Sequence, residues 1–322
     1  MLKISKVLLV CFIISVCFTI NVTAQNIPAS GRGVAGTGRG MTAGRGGNPR
    51  VENRTYLFTD TNETLPYAVF TSSKVTKDKK APLIIALRGA GGNPTVFLQG
   101  AALDLAEEGG YILVGVMGYN STGSFGMPAS GGMMGGGMMG GRGGMNVPMF
   151  GEAPQPQRGN TAARGNRRGG TGGSAATDPA KISEYSEKDV MNVLAMIRKE
   201  FNIDDRRIYL VGHSQGGAGA LHLADKYSSI WAAAAMLSPG APNFQLDQNA
   251  KFKDVPLLIM VGENDNLIAT PRRIDEQLTS MKIEHEYKEM SGQDHGSIIM
   301  AAMPDVFKFF AEHTKPETKQ EN

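Results

Sequence analysis

The chain has 322 residues, 41% hydrophobic and 20% charged, a globular composition, yet 27 of its 42 glycines fall in two stretches, 31–47 and 118–173. These glycines keep no three-residue period and few prolines accompany them, which excludes a collagen-like fibre. The net charge of +3 is just as local: 29–50 and 118–173 carry +4 each and the first 24 residues +2, leaving −7 for the rest, and an acidic body argues against a nucleic-acid groove on the fold itself.

In chain order, Lys3 and Lys6 precede an apolar run, Val7–Ile20, and then Val22-Thr23-Ala24. Residues 1–24 read as a secretory signal peptide, so the protein is expected to be exported, periplasmic or extracellular. The run of 14 residues is short of the ~20 needed to span a bilayer, so no permanent membrane span is expected. Cys11 and Cys17 both lie inside it, and the exported body must be stable on its packed core alone. Residues 25–50 form a Gly/Arg-rich leader with almost no large apolar side chains, expected to be disordered.

From Val51 the pattern changes. Thr55–Thr59 and Tyr67–Thr71 have the β-branched and aromatic content of edge strands. Pro82–Leu87 is a continuous apolar run, suited to a strand buried on both faces. Pro94 opens a helical stretch to about Glu108, closed by Gly109-Gly110, and Tyr111–Val116 is another buried strand. Residues 118–178 are a low-complexity insertion rich in Gly, Met and Arg, including Met127, Met133, Met134, Met138, Met139, Met145 and Met149. It is read as a disordered, solubilising linker; a soft adhesive surface for an apolar polymer and a copper(I) site of thioethers are the rival readings.

Helical periodicity resumes near Ser183, with Val190, Val193, Leu194, Ile197 and Phe201 on one face. Strands are expected at Arg207–Val211, Trp231–Leu237, Pro256–Val261 and His285–Glu289, with helices near 216–227, 271–282 and 297–313 and a polar tail over 315–322. Alternating buried strands and helices predict one α/β domain, 51–314, with a mostly parallel sheet covered by helices on both faces.

The chemistry gathers at Gly212-His213-Ser214-Gln215-Gly216, a G-x-S-x-G motif directly after a strand and before a helix. A sharp turn there exposes Ser214 Oγ at the carboxyl edge of the sheet. A serine nucleophile needs a base and a group that fixes the base's tautomer, in the chain order Ser, acid, His. Of the five histidines, only His295 sits late in a loop before the last helix; His213, His222, His285 and His313 are read as packing or surface residues. For the acid, the strand ending at Val261 delivers Gly262-Glu263-Asn264-Asp265, and Asp265 is preferred to Glu263. The oxyanion hole needs backbone N–H donors: Gln215 at the helix start and Ala90, with Gly91 as fallback, in the turn Leu87-Arg88-Gly89-Ala90-Gly91-Gly92-Asn93. No metal and no organic cofactor is implied.

With these residues in place, the chain resembles the α/β-hydrolase superfamily over about 81–116 and 183–314. Within it, the likeness is to secreted polyhydroxybutyrate-depolymerase-like, feruloyl and acetylxylan esterases. Gly89-Ala90-Gly91-Gly92-Asn93, Gly212 to Gly217, Gly262 to Asp265 and His295 match that group's pattern, whereas Arg88 stands where the group has His. The resemblance implies a serine carboxylesterase acting on a small-molecule, polysaccharide-linked or polyester ester through an acyl-enzyme. Arg88 is expected to pair with an acid or an anionic substrate group. The alternatives are a serine peptidase of the prolyl-oligopeptidase type and a catalytically silent binding or adhesion protein.

Overall fold

The structure, a computed structural model, describes residues 49–127, 178–240, 246–250, 252 and 255–317. The segment expected to be a signal peptide, nearly all of the expected leader, 128–177 of the expected insertion and the last five residues of the tail lie outside the described residues.

The chain enters the sheet through β1 (Glu52–Phe58) and β2 (Glu63–Thr71), then β3 (Ala81–Leu87), α1 (Gly100–Gly109) and β4 (Ile112–Val116). After the insertion come α2 (Pro179–Glu200), β5 (Ile203–His213), α3 (Gln215–Lys226), β6 (Ala233–Leu237), β7 (Leu257–Gly262), α4 (Ala269–Ser280), β8 (His285–Met290), α5 (Ile298–Ala301) and α6 (Met303–Glu312). The eight strands lie in the order β1-β2-β4-β3-β5-β6-β7-β8. β2 is antiparallel to β1 and β4, and every later pairing is parallel.

The continuous apolar runs explain the sheet centre, since β3, β4, β6 and β7 are buried at every position, as strands covered on both faces must be. Alternation then divides their side chains. Leu83, Ile85 and Leu87 pack with Val190, Val193 and Leu194 of α2, Leu221 of α3 and Ile274 of α4. Ile84 and Ala86 face the opposite layer, with Leu103 of α1, Ile298 of α5 and Phe310 of α6. The predicted two-layered cover of a mostly parallel sheet is therefore present.

Element ends depart from the sequence expectation for identifiable reasons. α2 starts four residues early because Asp178 accepts the Ala180 N–H at 3.0 Å and Pro179 fills the first turn, both favourable at a helix start. α1 starts late because Asn93 Oδ1 captures the Thr95 N–H and hydroxyl, at 2.9 and 2.7 Å, turning the chain before any helix forms. The last helix is broken at Ala302, where Pro304 opens a new first turn and has no N–H to continue the old one.

Residues 118–127, assigned to the insertion from composition, are built into the body. Tyr119 and Phe125 are buried there. Arg50, assigned to the leader, pairs with Asp104 at 3.0 Å and covers the Phe70 ring. No helix among the described residues is long and apolar enough to cross a membrane.

Candidate active site

β5 runs straight into α3, and Ser214 occupies the joint with φ 54° and ψ −118°. A non-glycine residue held there stores about 1–3 kcal/mol of strain, which persists only when its surroundings over-determine it. They do: a Cβ on Gly212 would lie 2.0 Å from the Gly216 carbonyl oxygen, and one on Gly216 would lie 2.3 Å from that of Leu87. The two glycines let the first turn of α3 close against the ends of β5 and β3, and Ser214 N–H is tied to Leu237 O at 2.9 Å.

At the end of β7, Asp265 is buried with its two oxygens assigned. Oδ1 accepts the Leu267 N–H at 2.7 Å and Oδ2 faces His295 Nδ1 at 2.8 Å. Burial works to raise the carboxyl's pKa, but the hydrogen bonds led by His295 outweigh it and hold the group below its ordinary value. Because an ionised carboxylate only accepts, His295 Nδ1 carries the proton of this bond, and it is Nε2 that holds the lone pair in the neutral ring. The loop carrying His295 is fixed by Asp294, whose Oδ1 accepts the N–H groups of Gly296 and Ser297 at 2.9 and 2.7 Å. Glu263, the rival acid, instead accepts Ser291 Oγ at 2.8 Å and Gly292 N–H at 3.3 Å. It caps a turn.

His213 has a part that sequence reasoning missed. Its Nε2 donates to the His295 carbonyl at 2.6 Å and its ring centroid lies 4.7 Å from that of His295. Burial and the neighbouring His295 push its pKa down to about 4, so the ring is neutral at ordinary pH. The residue preceding Ser214 thus braces the loop that presents His295, and brings the elbow and the Asp265–His295 pair together. The available signal is a histidine closing the buried stretch Ile208–Gly212 of β5, where a polar ring requires a partner.

The β3–α1 turn completes the cluster. A Cβ on Gly89 would touch Ser214 Cβ at 3.3 Å, which sets the turn against the elbow. Gly91 N–H is committed to Ser121 O at 2.8 Å, whereas no hydrogen bond among the described residues occupies Ala90 N–H. Gln215 is the first residue of α3, so its N–H has no intrahelical acceptor. Arg88 corrects the expectation of an ion pair. It is 0% exposed, and its partners are main-chain carbonyls and the Gln215 side chain. Among the described residues, no group of three or more His, Cys, Asp or Glu is placed to hold a metal.

The family model described as alpha/beta hydrolase fold matches residues 138–255. Similar solved structures include an S-formylglutathione hydrolase from Agrobacterium tumefaciens, 16% identical with a TM-score of 0.58 over 82% of this chain and 95% of that one. A CE1 ferulic acid esterase from the anaerobic fungus Anaeromyces mucronatus is 16% identical, TM-score 0.55, over 81% and 90%. A thermostable esterase is 19% identical, TM-score 0.52, over 83% of this chain but only 64% of its own. No curated protein sequence matches the chain. The fold is that of the α/β hydrolases.

Proposed function

We propose that this α/β-hydrolase-fold chain is an exported serine hydrolase that cleaves carboxylic esters through an acyl-enzyme. The observation that carries the reading is the 2.8 Å bond between His295 Nδ1 and buried Asp265 Oδ2, at the same sheet edge as the strained Ser214 turn. In this reading Ser214 Oγ attacks the ester carbonyl while His295 Nε2 takes its proton. Asp265 holds the imidazole in that tautomer and stabilises the imidazolium that forms. The negative charge that develops on the carbonyl oxygen is met by the N–H groups of Ala90 and Gln215. Collapse expels the alcohol, which leaves with the proton from His295; water then attacks the acyl-enzyme by the same proton route and returns Ser214. The signal-peptide pattern of residues 1–24 supports export, and the esterase names of similar structures support an ester over a peptide.

The test is a fluorophosphonate probe combined with p-nitrophenyl acetate turnover. Wild-type protein is expected to label, and Ser214→Ala to lose both labelling and turnover while melting as wild type does. Asp265→Asn is expected to cost ~10⁴ in kcat by analogy with the tautomer error of serine proteases, with Glu263→Gln close to wild type. Turnover retained within tenfold in Ser214→Ala sinks the assignment, absent labelling favours a silent binding protein, and cleavage of peptides in preference to esters favours the peptidase.

A further inference from the structure

We propose that Arg88 is a positioning residue for the oxyanion site, whose guanidinium orients and polarises both N–H groups, Ala90 and Gln215, that receive the substrate's carbonyl oxygen. The proposal rests on the serine-hydrolase reading above. A guanidinium has five N–H donors and no acceptor, and here each donor has a partner. Nε donates to Met117 O at 2.7 Å, Nη1 to Gly89 O at 3.0 Å and Gln215 Oε1 at 3.1 Å, and Nη2 to Gly123 O at 3.2 Å and to Asn120 O. The Phe125 ring lies beneath, 5.1 Å away. With no surface exposed and no donor to spare, Arg88 does not touch substrate; it acts through its partners.

Two of those partners lead directly to the oxyanion donors. Gly89 C=O and Ala90 N–H are the two ends of one planar peptide group. A cationic donor on the oxygen end fixes that plane and draws electron density from the N–H end, as chained hydrogen bonds do. Gly92 N–H donates to the same oxygen at 3.1 Å, so the carbonyl end is doubly held. The second route runs through Gln215, whose side chain bridges Arg88 Nη1 and Thr122 O, the latter at 3.0 Å, pinning the first residue of α3. One planar fork therefore sets the relative placement of two N–H groups, one in the β3–α1 turn and one at the start of α3, a task that suits Arg better than Lys.

The charge itself adds to this. No carboxylate contacts the guanidinium, and Asp189, buried in α2, acts on it only from a distance. Burial pushes Arg88 down to about 10, which leaves it protonated at neutral pH. A cation with no carboxylate in contact, one peptide away from a developing oxyanion and inside a low-dielectric region, stabilises the charged state more than the ground state.

The experiment measures Arg88→Met and Arg88→Lys in the full chain, with p-nitrophenyl acetate kinetics, thermal melting and binding of an alkyl trifluoromethyl ketone. That ketone forms a hemiketal with Ser214 whose oxyanion pKa is read by fluorine NMR against pH. Arg88→Met is expected to lower kcat by about tenfold to a hundredfold, less than the loss of a whole donor, with KM within threefold. Ketone affinity should fall by a similar factor and the hemiketal pKa should rise. Arg88→Lys, which keeps the charge and loses the fork, should be intermediate in every readout. A lower melting temperature with kcat, ketone affinity and hemiketal pKa unchanged would show a purely structural role and overturn the proposal. Should Arg88→Met fail to fold, Arg88→Lys decides alone, wild-type values in all three readouts overturning it. If wild-type protein forms no hemiketal, the serine-hydrolase reading fails first and the proposal with it.

Discussion

The imidazole of His213 resists a second proton. Its Nε2 proton is committed to the His295 carbonyl at 2.6 Å, its ring is buried, and the ring beside it belongs to His295. Burial first, then that neighbour, lowers its pKa from 6.5 to about 4. Above pH 6.5 folded and unfolded chains are both neutral at this position. As pH falls below 6.5 the unfolded chain binds a proton that the folded chain refuses, so stability declines until about pH 4, where the folded state also protonates. The displacement corresponds to about 3 kcal/mol. His213→Leu, which has no donor for the His295 carbonyl, should therefore be less stable than wild type at pH 8, yet show a flatter decline between pH 6.5 and 4. Urea unfolding at a series of pH values measures the difference, and parallel profiles for the two proteins would remove His213 from the account.

At the scale of elements, α2 illustrates what a sequence shows and what it hides. Its apolar face of Val190, Val193, Leu194 and Ile197 is legible from periodicity, and all four are buried. Its polar docking is not legible, because Glu187 finds its partners 35 to 40 residues away: His222 Nε2 at 3.0 Å, Lys226 Nζ at 2.6 Å and Tyr227 OH at 2.6 Å. Burial opposes ionisation of Glu187, but these three donors hold its pKa down at about 2. Glu187→Gln removes the charge and one acceptor while leaving three donors in place, which should cost about 2 kcal/mol. A thermal melt should register it, with kcat on p-nitrophenyl acetate nearly unchanged because the cluster lies on the α2–α3 contact. The same division runs through the site. Ser214 and Asp265 are legible as candidates because each follows a strand with a recognisable apolar run, and His295 because it sits in the loop between the polar strand β8 and the last helix. The function of Arg88 is hidden because four of its five acceptors are main-chain carbonyls, which every residue carries and no residue type marks. His213 is hidden by a motif that treats its position as variable.

For the molecule as a whole, the hydrogen bonds tie residues 120–127, glycine-rich in composition, into the folded body. Asn120 and Gly123 carbonyls accept from Arg88, Ser121 O accepts from Gly91 N–H, Thr122 O accepts from the Gln215 side chain, and Met127 O accepts from Ser183 Oγ at 2.6 Å. A composition-based boundary at 118 cuts through this scaffold. Residues 128–173 lie outside the described residues; their sequence contains a single branched aliphatic side chain, Val147. Closure entropy changes by only ~0.6 kcal/mol per doubling of loop length, so exchanging a long insert for a short one barely alters stability. Two replacements by the same Gly-Ser linker should therefore behave differently. Exchange of 128–173 should leave the melting temperature and kcat on p-nitrophenyl acetate within about threefold of wild type, a change worth under ~0.7 kcal/mol in the barrier. Exchange of 121–173 removes acceptors of Arg88, Gly91 and Gln215 together and should cost at least a hundredfold in kcat, roughly 2.7 kcal/mol. Steady-state kinetics on the two proteins separates the cases, and a hundredfold loss in the shorter exchange would place the insertion itself inside the catalytic machinery.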